Sequence, residues 1–395
     1  MCGTFEYGLN AAAKEFDGKN KYIRITDIDD ASREFLLSDL SSPDICLDGM
    51  SKYLLSSGDI VFARTGASVG KTYIYRENDG IVYFAGFLIR AKVNQDNDAE
   101  FVFQSTLSPS YEKYIRVTSQ RSGQPGVNAQ EYGEYDLFAP SKEEQQRIGQ
   151  FLRGIDNLIT LHQRKFEKLT NVKKSMLEKM FPQNGSSYPE IRFKGFTDPW
   201  EQRKLGELVD RVVRKNTNNE STLPLTISAQ YGLVDQITYF NNRVASRDVS
   251  NYYLVLNGEF AYNKSTSDGY PFGAVKRLDL YEKGVLSTLY IVFAPKKEQQ
   301  IDSDYLTVFF DTDRWHKGVA ERAAEGARNH GLLNISAEDF FDIDLSVPKD
   351  IVEQKQIGAF IRQLDNLITL HQRKPFLMKW RTSDANRNQT NRLVL

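Results

Sequence analysis

Four polar loops of this 395-residue chain combine arginine, lysine, glutamine and asparagine with serine and glycine. Arginine can bind guanine through two hydrogen bonds, glutamine and asparagine can bind adenine in the same way, and serine, lysine and backbone amides hold phosphates. Such loops are by themselves more often ordinary solvated turns. One pair occurs at corresponding places in each half of the chain, which favours nucleic-acid binding. The loops are ARTGASVGK (63–71), VTSQRSGQPGVNAQ (117–130), YNKSTSDGYPFG (262–273) and ERAAEGARNHGLLN (321–334).

No catalytic set is recognisable elsewhere in the sequence. GASVGKT (66–72) has three residues between its first glycine and its Gly-Lys, where a phosphate-binding loop needs four. The β-branched and aromatic run TYIY follows it instead of a helix. The Asn-Pro-Pro-aromatic tetrapeptide with which adenine methyltransferases hold a flipped base is absent, as is a nuclease-type magnesium motif. The histidines have no metal-ligand spacing; they are His162, His316, His330 and His371. A stand-alone enzyme with its own metal is therefore disfavoured.

The composition excludes further classes of protein. A formal net charge of -1 means that any site for a polyanion must come from local clusters of lysine and arginine. Cys2 and Cys46 are too few for a disulfide framework, and the chain has neither a signal peptide nor an apolar run near the ~20 residues that cross a bilayer. We expect a folded cytoplasmic protein of two or three domains without a membrane partner.

A duplication is visible in two long segments. IGQFLRGIDNLITLHQRK (148–165) and IGAFIRQLDNLITLHQRK (357–374) differ at four positions, at an offset of 209 residues. The preceding DLFAPSKEEQQRI and DLSVPKDIVEQKQI also match, and the strand-loop-strand patterns around 58–75 and 258–277 correspond loosely. Because solenoid repeats are only 20–50 residues long, this spacing indicates a duplicated domain followed by a helix.

The two similar segments carry the apolar heptads of paired helices. A helix from Glu143 to Met180 would be about 57 Å long, which requires a partner along its apolar stripe. The second copy is the expected partner, and the histidine in each stripe is interpreted as setting the register. The predicted packing positions are Ile148, Leu152, Ile155, Ile159 and His162 in the first helix and Ile357, Ile361, Leu364, Ile368 and His371 in the second.

Domain boundaries follow from the helices and from the Pro, Gly and Ser linker FPQNGSSYPE. Pro375 is expected to end the second helix near Lys374, because proline lacks an N–H and disfavours helix in the preceding residue. The predicted segments are a first globular domain (1–142), a long helix (143–181), a linker (182–190), a second globular domain (191–350), a short second helix (351–374) and a loose tail (375–395).

The chain resembles the specificity subunit of a type I restriction-modification system. The resemblance is carried by IRFKGFTDPWEQRKLGEL (191–208), by GEFAYNKSTSDGYPFGAVKR (258–277) and by the ending DLSVP to HQRK (344–374). It implies an α+β fold with two α/β target-recognition domains in tandem, separated by two long helices packed as an antiparallel coiled coil. Each domain of such a subunit reads one half of a bipartite double-stranded DNA target.

The resemblance also implies a non-catalytic subunit with no cofactor of its own. Such a subunit recruits two adenine-N6 methyltransferase subunits and two ATP-dependent restriction subunits, and S-adenosylmethionine, ATP and magnesium are expected on those partners. The helices and the segment 200–205 are the predicted methyltransferase interface. The predicted DNA contacts are Arg64, Thr65, Lys71, Arg121, Gln124 and Asn128 in the first domain and Lys264, Ser265, Thr266, Tyr270, Arg328, Asn329 and His330 in the second.

Two segments depart from the family pattern. The first domain lacks a counterpart of WEQRKLGEL, and the second helix lacks the FEKLTNVKKSMLEKMF continuation of the first. Both departures fit a truncated or rearranged subunit. The alternative from another class is a coiled-coil interaction protein without a DNA-reading role, which the heptads and the near-neutral charge would also suit.

Overall fold

The computed structural model describes residues 1–121, 123–183, 185–228, 231–267, 269–323 and 332–387. The chain divides into two compact units. The first holds Met1–Lys165 together with the chain from His371 onward, and the second holds Phe166–Leu370. Each of the two long helices therefore contributes residues to both units.

The globular part of the first unit precedes the first long helix. Its strands are β1 (Cys2–Tyr7), β2 (Ala13–Glu15), β3 (Lys21–Ile23), β4 (Ser41–Pro43), β5 (Ile60–Ala63), β6 (Thr72–Ile74), β7 (Val82–Phe84) and β8 (Leu88–Val93). Its helices are α1 (Ala99–Ser105), α2 (Pro109–Thr118), α3 (Ala129–Gly133) and the long α4 (Lys142–Lys179).

A four-stranded antiparallel sheet in the order β1-β8-β5-β6 is central to the first unit. Successive side chains of a strand point to opposite faces. Ile60 and Phe62 of β5 accordingly pack with side chains of α1, α2 and α3, whereas Val61 and Ala63 belong to a second apolar cluster on the other face. Because both faces are covered, β5 has a continuous apolar sequence and not an alternating one.

The second unit begins with the end of α4. Its strands are β9 (Glu201–Lys204), β10 (Val209–Arg211), β11 (Leu225–Ser228), β12 (Gly232–Asp235), β13 (Tyr253–Leu256), β14 (Phe260–Asn263), β15 (Ala274–Arg277), β16 (Lys283–Leu286), β17 (Ile291–Pro295) and β18 (Asp344–Val347). Its helices are α5 (Leu205–Leu208), α6 (Gln236–Phe240), α7 (Ser303–Phe310), α8 (His316–Arg322), α9 (Ala337–Phe341) and the long α10 (Ile351–Arg387).

The second unit repeats the sheet of the first. Its strand order β10-β17-β14-β15 matches β1-β8-β5-β6 strand for strand, again with antiparallel pairs. Phe260 and Tyr262 of β14 pack with side chains of α7, α8 and α9, and Ala261 packs into a cluster on the other face. The duplication that the helices predict therefore includes the domain cores.

Within the second unit, α4 and α10 run in opposite directions. Phe181, just after α4, packs edge to face against Trp200, whose indole N–H donates to Glu353 in the first turn of α10. Lys173, about two turns before Phe181, donates to Asp365, about three turns beyond Glu353 (2.7 Å). These contacts confirm the predicted antiparallel pairing.

The predicted apolar stripes coincide with the covered faces of the helices. Ile357, Ile361 and Leu364 are buried. In the first unit, His162 and His371 face each other with their Nδ1 atoms 2.7 Å apart. A polar pair in an apolar seam favours a single register, since a shifted register would leave its nitrogen atoms unpaired. The remaining stripe positions are half-buried, namely Ile148, Leu152, Ile155, Ile159 and Ile368.

The end of the second long helix differs from the prediction. α10 extends to Arg387 and passes through Pro375, whereas the sequence predicts an end near Lys374 and a loose tail from 375. A proline inside a helix removes one hydrogen bond and crowds the carbonyl four residues earlier, and the helix can continue beyond it with a kink. The leucine, methionine, lysine and arginine residues that follow have high helix propensity, which explains the continuation.

Each long helix starts with a buried glutamine that binds the backbone of its own domain. The side-chain carbonyl of Gln145 accepts from the Asp98 N–H (3.0 Å), and its amide donates to the Pro140 carbonyl (3.0 Å). Gln354 makes the same two bonds, accepting from the Asp302 N–H (2.8 Å) and donating to the carbonyl of the proline before α10 (2.9 Å). The two helices are thus joined to their domains by the same device.

Candidate nucleic-acid interface

The two polar loops of the first unit lie side by side, although they are far apart in the sequence. The Val127 N–H donates to the Arg64 carbonyl (2.9 Å), and the Gly66 N–H donates to the Pro125 carbonyl (3.0 Å). Thr65 pairs with Gly126 as an isolated antiparallel bridge. The loop after β5 and the loop before α3 therefore form one continuous polar surface.

The second unit brings its own two loops together in the same way. The Leu333 N–H donates to the Lys264 carbonyl (3.0 Å), as Val127 does to Arg64. Ser265 pairs with Leu332 as an isolated antiparallel bridge, and the Lys264 ammonium reaches the Ile335 carbonyl (3.4 Å). Arg64 and Lys264 thus occupy equivalent positions, which gives the predicted correspondence between the two sites a structural basis.

Buried Tyr132 fixes both ends of the first loop. Its hydroxyl donates to the Ala63 carbonyl (2.7 Å) and accepts from the Gly70 N–H (3.2 Å). Tyr111 adds a bond from its hydroxyl to the Gly70 carbonyl (3.1 Å). Burial raises the pKa of Tyr132, so its hydroxyl remains a neutral donor at physiological pH. The equivalent residue of α9 is Phe340, which has no hydroxyl.

We expect Tyr132→Phe to loosen this loop. The substitution removes the two bonds of the Tyr132 hydroxyl, while the Gly70 N–H keeps its bond to the Ala63 carbonyl (2.9 Å). We expect the free energy of unfolding to fall by about 0.5–1.5 kcal/mol. Denaturant unfolding measures the loss, and amide hydrogen exchange at Gly70 becomes faster. Tyr188→Phe, at an exposed tyrosine, is the matched control. An equal effect of the two substitutions would contradict the role of Tyr132.

Arg64 lies between two aromatic residues that the sequence analysis missed. Its guanidinium carbon is 5.4 Å from the centre of the Tyr7 ring and 5.6 Å from that of Phe87. Its Nε donates to the Gly86 carbonyl (3.1 Å). Tyr7 ends β1 and Phe87 precedes β8, so their proximity to Arg64 follows from strand pairing and leaves no local signal in the sequence.

Three other predicted residues of the first unit have protein partners. The Lys71 ammonium forms an ion pair with Asp30, and Arg121 forms one with Glu131. Asn128 caps α3, since its side chain accepts from the Glu131 N–H (3.0 Å). The structure thus places all three at the loops, with Asn128 engaged in a capping box.

Gly66 lets Gln124 cross the first loop closely. Gly66 has a φ of 72°, and a Cβ at this position would lie 2.9 Å from the Nε2 atom of Gln124. The Gln124 side chain is exposed. Glycine is thus favoured here by its backbone conformation, whereas the exposed end of Gln124 could move away from an added Cβ.

The predicted residues of the second unit are described in part. The Ser265 N–H donates to the side-chain oxygen of Asn263 (3.0 Å), and Tyr270 is exposed in a turn closed by backbone bonds with Ser267. Thr266 lies between them in the same loop. The remaining predicted contacts lie outside the described residues, namely Arg328, Asn329 and His330.

The matching strand registers of the two sheets show which other residues of the two sites occupy equivalent positions. Tyr7 lies opposite Ile89 of β8. Ile291 of β17 is the equivalent of Ile89, and the β10-β17 register, continued to Ile291, places Val213 opposite it. Phe87, two residues before Ile89, corresponds to Leu289. The side chains at these four positions are all exposed, namely Tyr7, Phe87, Val213 and Leu289. The two sites therefore share a backbone plan and differ in side-chain chemistry.

Within the described ranges, His, Cys, Asp and Glu side chains form no cluster able to hold a metal ion. No helix in that part of the chain combines the length and apolar character needed to span a bilayer.

A protein-family model described as the type I restriction modification DNA specificity domain matches the chain twice, over residues 7–171 and 197–376. The MjaVIII type I restriction enzyme specificity subunit of Methanocaldococcus jannaschii is 24% identical over 182 residues, which is 45% of this chain and 41% of that protein. A relative from the same organism, named for the MjaX specificity subunit, is 25% identical over 170 residues, 41% and 40% of the two chains. The chain spans about two fifths of the length of these curated relatives.

A solved structure shows a similar fold. The type I restriction-modification S subunit from M. genitalium covers 99% of this chain and 94% of its own, with a TM-score of 0.62. The sequence identity over this alignment is 11%. The likeness supports the α+β architecture with long helices.

Proposed function

Since this chain belongs to the family of type I restriction modification DNA specificity domains, we propose that it is the DNA sequence-specificity subunit of a type I restriction-modification complex and has no catalytic activity itself. Each unit reads one half of a bipartite double-stranded DNA target. The observation that carries this proposal is the duplicated two-loop surface, built on the equivalent bonds of Val127 to Arg64 and of Leu333 to Lys264.

The chemistry of the loops suits the two tasks of DNA recognition. Arg64 and Gln124 offer side chains for base edges, and Lys71 and Arg121 offer charges for phosphates. In the second unit, Lys264 with Ser265, Thr266 and Tyr270 provides the equivalent surface. Divergent side chains on a common backbone allow the two half-sites to differ in sequence.

The repeated helices suit two equivalent protein partners. On α4 the exposed apolar residues are Phe151, Leu158 and Leu161, spaced along one face. On α10 the counterparts Leu367 and Leu370, at the same offset of 209, are exposed as well. Because an exposed apolar stripe is a typical protein interaction surface, we propose that each stripe binds one methyltransferase subunit.

Other partner assignments follow from this proposal. The restriction subunits join the complex that the methyltransferase subunits form, and S-adenosylmethionine, ATP and magnesium belong to those partners. In the predicted segment 200–205, Trp200 and Leu205 are buried in the core of the second unit, and the exposed Glu201 and Gln202 are its candidates for the interface.

The experiment combines this chain with its methyltransferase subunits. Fluorescence anisotropy on duplex DNA should give binding that weakens steeply with salt, because phosphate contacts release counterions. Mapping of N6-methyladenine in a host that expresses the complex should give one bipartite motif. Salt-insensitive or absent DNA binding together with stable binding of another protein would instead support a coiled-coil interaction protein.

We expect charge introduced into both stripes to block recruitment. Leu158→Asp together with Leu367→Asp places a carboxylate at the centre of each apolar surface and should reduce methyltransferase binding at least tenfold, as loss of an interface anchor does. Size-exclusion chromatography with titrated partner measures the loss. Asn157→Asp, which adds one charge to an exposed neighbouring position of α4, is the control. Equal binding by the double variant and the wild type would exclude the stripes as the interface.

A further inference from the structure

We infer that Arg64 reads a guanine of the target through the terminal nitrogens of its guanidinium, and that Lys264, at the corresponding place in the second unit, does not read guanine in this way. The inference rests on the proposed function and adds the identity of one base. Its evidence is the surroundings of Arg64 and the different residues at the same register in the second unit.

Three contacts fix the plane of the guanidinium. The central carbon of the guanidinium lies over the Tyr7 and Phe87 rings, 5.4 and 5.6 Å from their centres. The Nε atom is bound to the Gly86 carbonyl (3.1 Å). Rotation about the side-chain bonds is restricted by these neighbours, so little rotamer freedom remains to be lost when a ligand binds.

The outer edge of the guanidinium is available. Within the described ranges, neither terminal nitrogen of Arg64 has a hydrogen bond or an ion pair. Neighbouring arginines of the first unit are occupied: Arg90 pairs with Asp59 (3.5 Å), and Arg76 pairs with Glu100 (3.0 Å). Arg64 thus combines a fixed plane with two free donors at the loop surface.

A fixed fork of two N–H donors matches one base edge. In the major groove guanine presents O6 and N7 as adjacent acceptors, and arginine binds both. Adenine presents a donor beside its N7, which a pair of donors cannot satisfy. A phosphate contact requires charge but no fixed plane, and lysine serves it equally well. The aromatic residues are therefore better explained by base reading than by phosphate binding.

The rings also offer apolar contact beside the base. Tyr7 is 47% exposed and Phe87 is 56% exposed, so both rings remain accessible beside Arg64. Exposed apolar side chains that are grouped at one place are typical of a binding surface. The two rings can therefore contact the bases next to the guanine that Arg64 binds.

Among the described residues, the positions of the second unit that correspond to Arg64, Tyr7 and Phe87 lack each part of this arrangement. Lys264 replaces the fork with a single ammonium, which reaches the Ile335 carbonyl (3.4 Å). Val213 and Leu289 replace the two rings. A lysine between aliphatic side chains cannot present two donors in a fixed plane. One half-site of the target is therefore expected to contain a guanine determinant that the other half-site lacks at the equivalent position.

The test uses the complex with methyltransferase subunits and its mapped duplex target. Each guanine is replaced in turn with 7-deazaguanine, which removes the N7 acceptor and keeps the Watson–Crick pair. For the wild type we expect one position, in one half-site, at which binding weakens roughly 10- to 150-fold, the loss of one hydrogen bond to a charged donor. Arg64→Lys should bind the unmodified target more weakly and should lose the response to that analogue.

Two variants complete the test. Tyr7→Val with Phe87→Leu installs the second unit's residues around an intact Arg64 and should reduce the analogue response by roughly 2- to 5-fold for each ring lost. Arg116→Lys, at an exposed position of α2, is the matched control and should behave as the wild type. Thermal unfolding of each variant separates lost recognition from lost folding.

The outcomes distinguish this inference from the proposed function. A single analogue-sensitive guanine that loses its sensitivity in Arg64→Lys supports the inference. Sequence-specific binding by the wild type with no such guanine, or an equal loss of Arg64→Lys affinity on every DNA sequence, overturns the inference and leaves the proposed function intact. A complex that binds no DNA overturns both.

Discussion

Replacing Asp311 with alanine is expected to lower the free energy of unfolding of the second unit by about 3–5 kcal/mol. Asp311 follows α7 and accepts from Lys276 on β15 (2.7 Å) and from Lys173 on α4 (3.3 Å). Lys173 also binds Asp365 of α10 (2.7 Å). Without Asp311, the mostly buried Lys276 loses its carboxylate partner and faces a second ammonium group. Denaturant unfolding measures the loss.

Two further variants identify the cause. Asp313→Ala removes an exposed carboxylate two residues away and should change stability by less than about 0.5 kcal/mol. Adding Lys276→Met to Asp311→Ala removes the unpaired charge and should restore much of the lost stability, because an apolar replacement of a buried ion pair is often neutral. No recovery in the double variant would assign the effect of Asp311→Ala to packing.

The same cluster predicts a loss of stability in acid. Burial opposes ionisation of Asp311, but the ammonium groups of Lys276 and Lys173 outweigh it and hold the pKa below the ordinary value. A carboxyl with a lowered folded-state pKa contributes stability above its unfolded pKa of about 3.9, and this stability is lost as the pH falls through the folded value. The wild type should therefore lose stability below about pH 4 more steeply than the Asp311→Ala variant.

Gly149→Ala should destabilise the first unit by about 1–3 kcal/mol, although alanine is the better helix former. A Cβ at Gly149 would lie 2.7 Å from a carboxylate oxygen of Asp98 and 2.9 Å from the backbone nitrogen of Phe101. Both atoms belong to the start of α1, which contacts α4 at this point. Because one of them is backbone, the strain cannot be relieved by a side-chain rotation.

A control for this substitution lies in the same helix. Gly154 has nothing within 4 Å of an added Cβ, so Gly154→Ala should stabilise the protein by roughly 1 kcal/mol. Gly358, the repeat counterpart of Gly149, is crowded in the same way by Asp304 and by the Tyr305 backbone. Thermal unfolding of the three alanine variants should give opposite signs for Gly154 and for the other two. The same sign for all three would contradict the close-packing explanation.

The helical pairing could be predicted because it depends on spacing alone. Heptad positions such as Ile357 and Ile361 identify the buried face without knowledge of the domains, and His162 and His371 indicate the shared register. The end of α10 could not be predicted from Pro375, since one lost hydrogen bond is a local cost that neighbouring turns can outweigh.

The candidate site could be predicted in outline. The loops that contain Arg64 and Asn128 could be located by composition, because both combine polar side chains with glycine. Their partners could not be, since an ion pair such as that of Lys71 with Asp30 depends on which strands become neighbours. Tyr7 and Phe87 could not be predicted either, because they come beside Arg64 only through the pairing of β1 with β8 and of β8 with β5.

The glutamines at the starts of the long helices affect how the sequence of this protein can evolve. Apart from one bond from Gln145 to the Asn97 side chain (3.3 Å), Gln145 and Gln354 bind main-chain N–H and carbonyl groups, which every sequence supplies as long as the turn before the short helix is kept. The surface side chains of a domain can therefore change by mutation without weakening its attachment to the long helix. A whole domain can also be exchanged by recombination at the same point. Similar helices together with divergent loops are the sequence pattern that such an attachment allows.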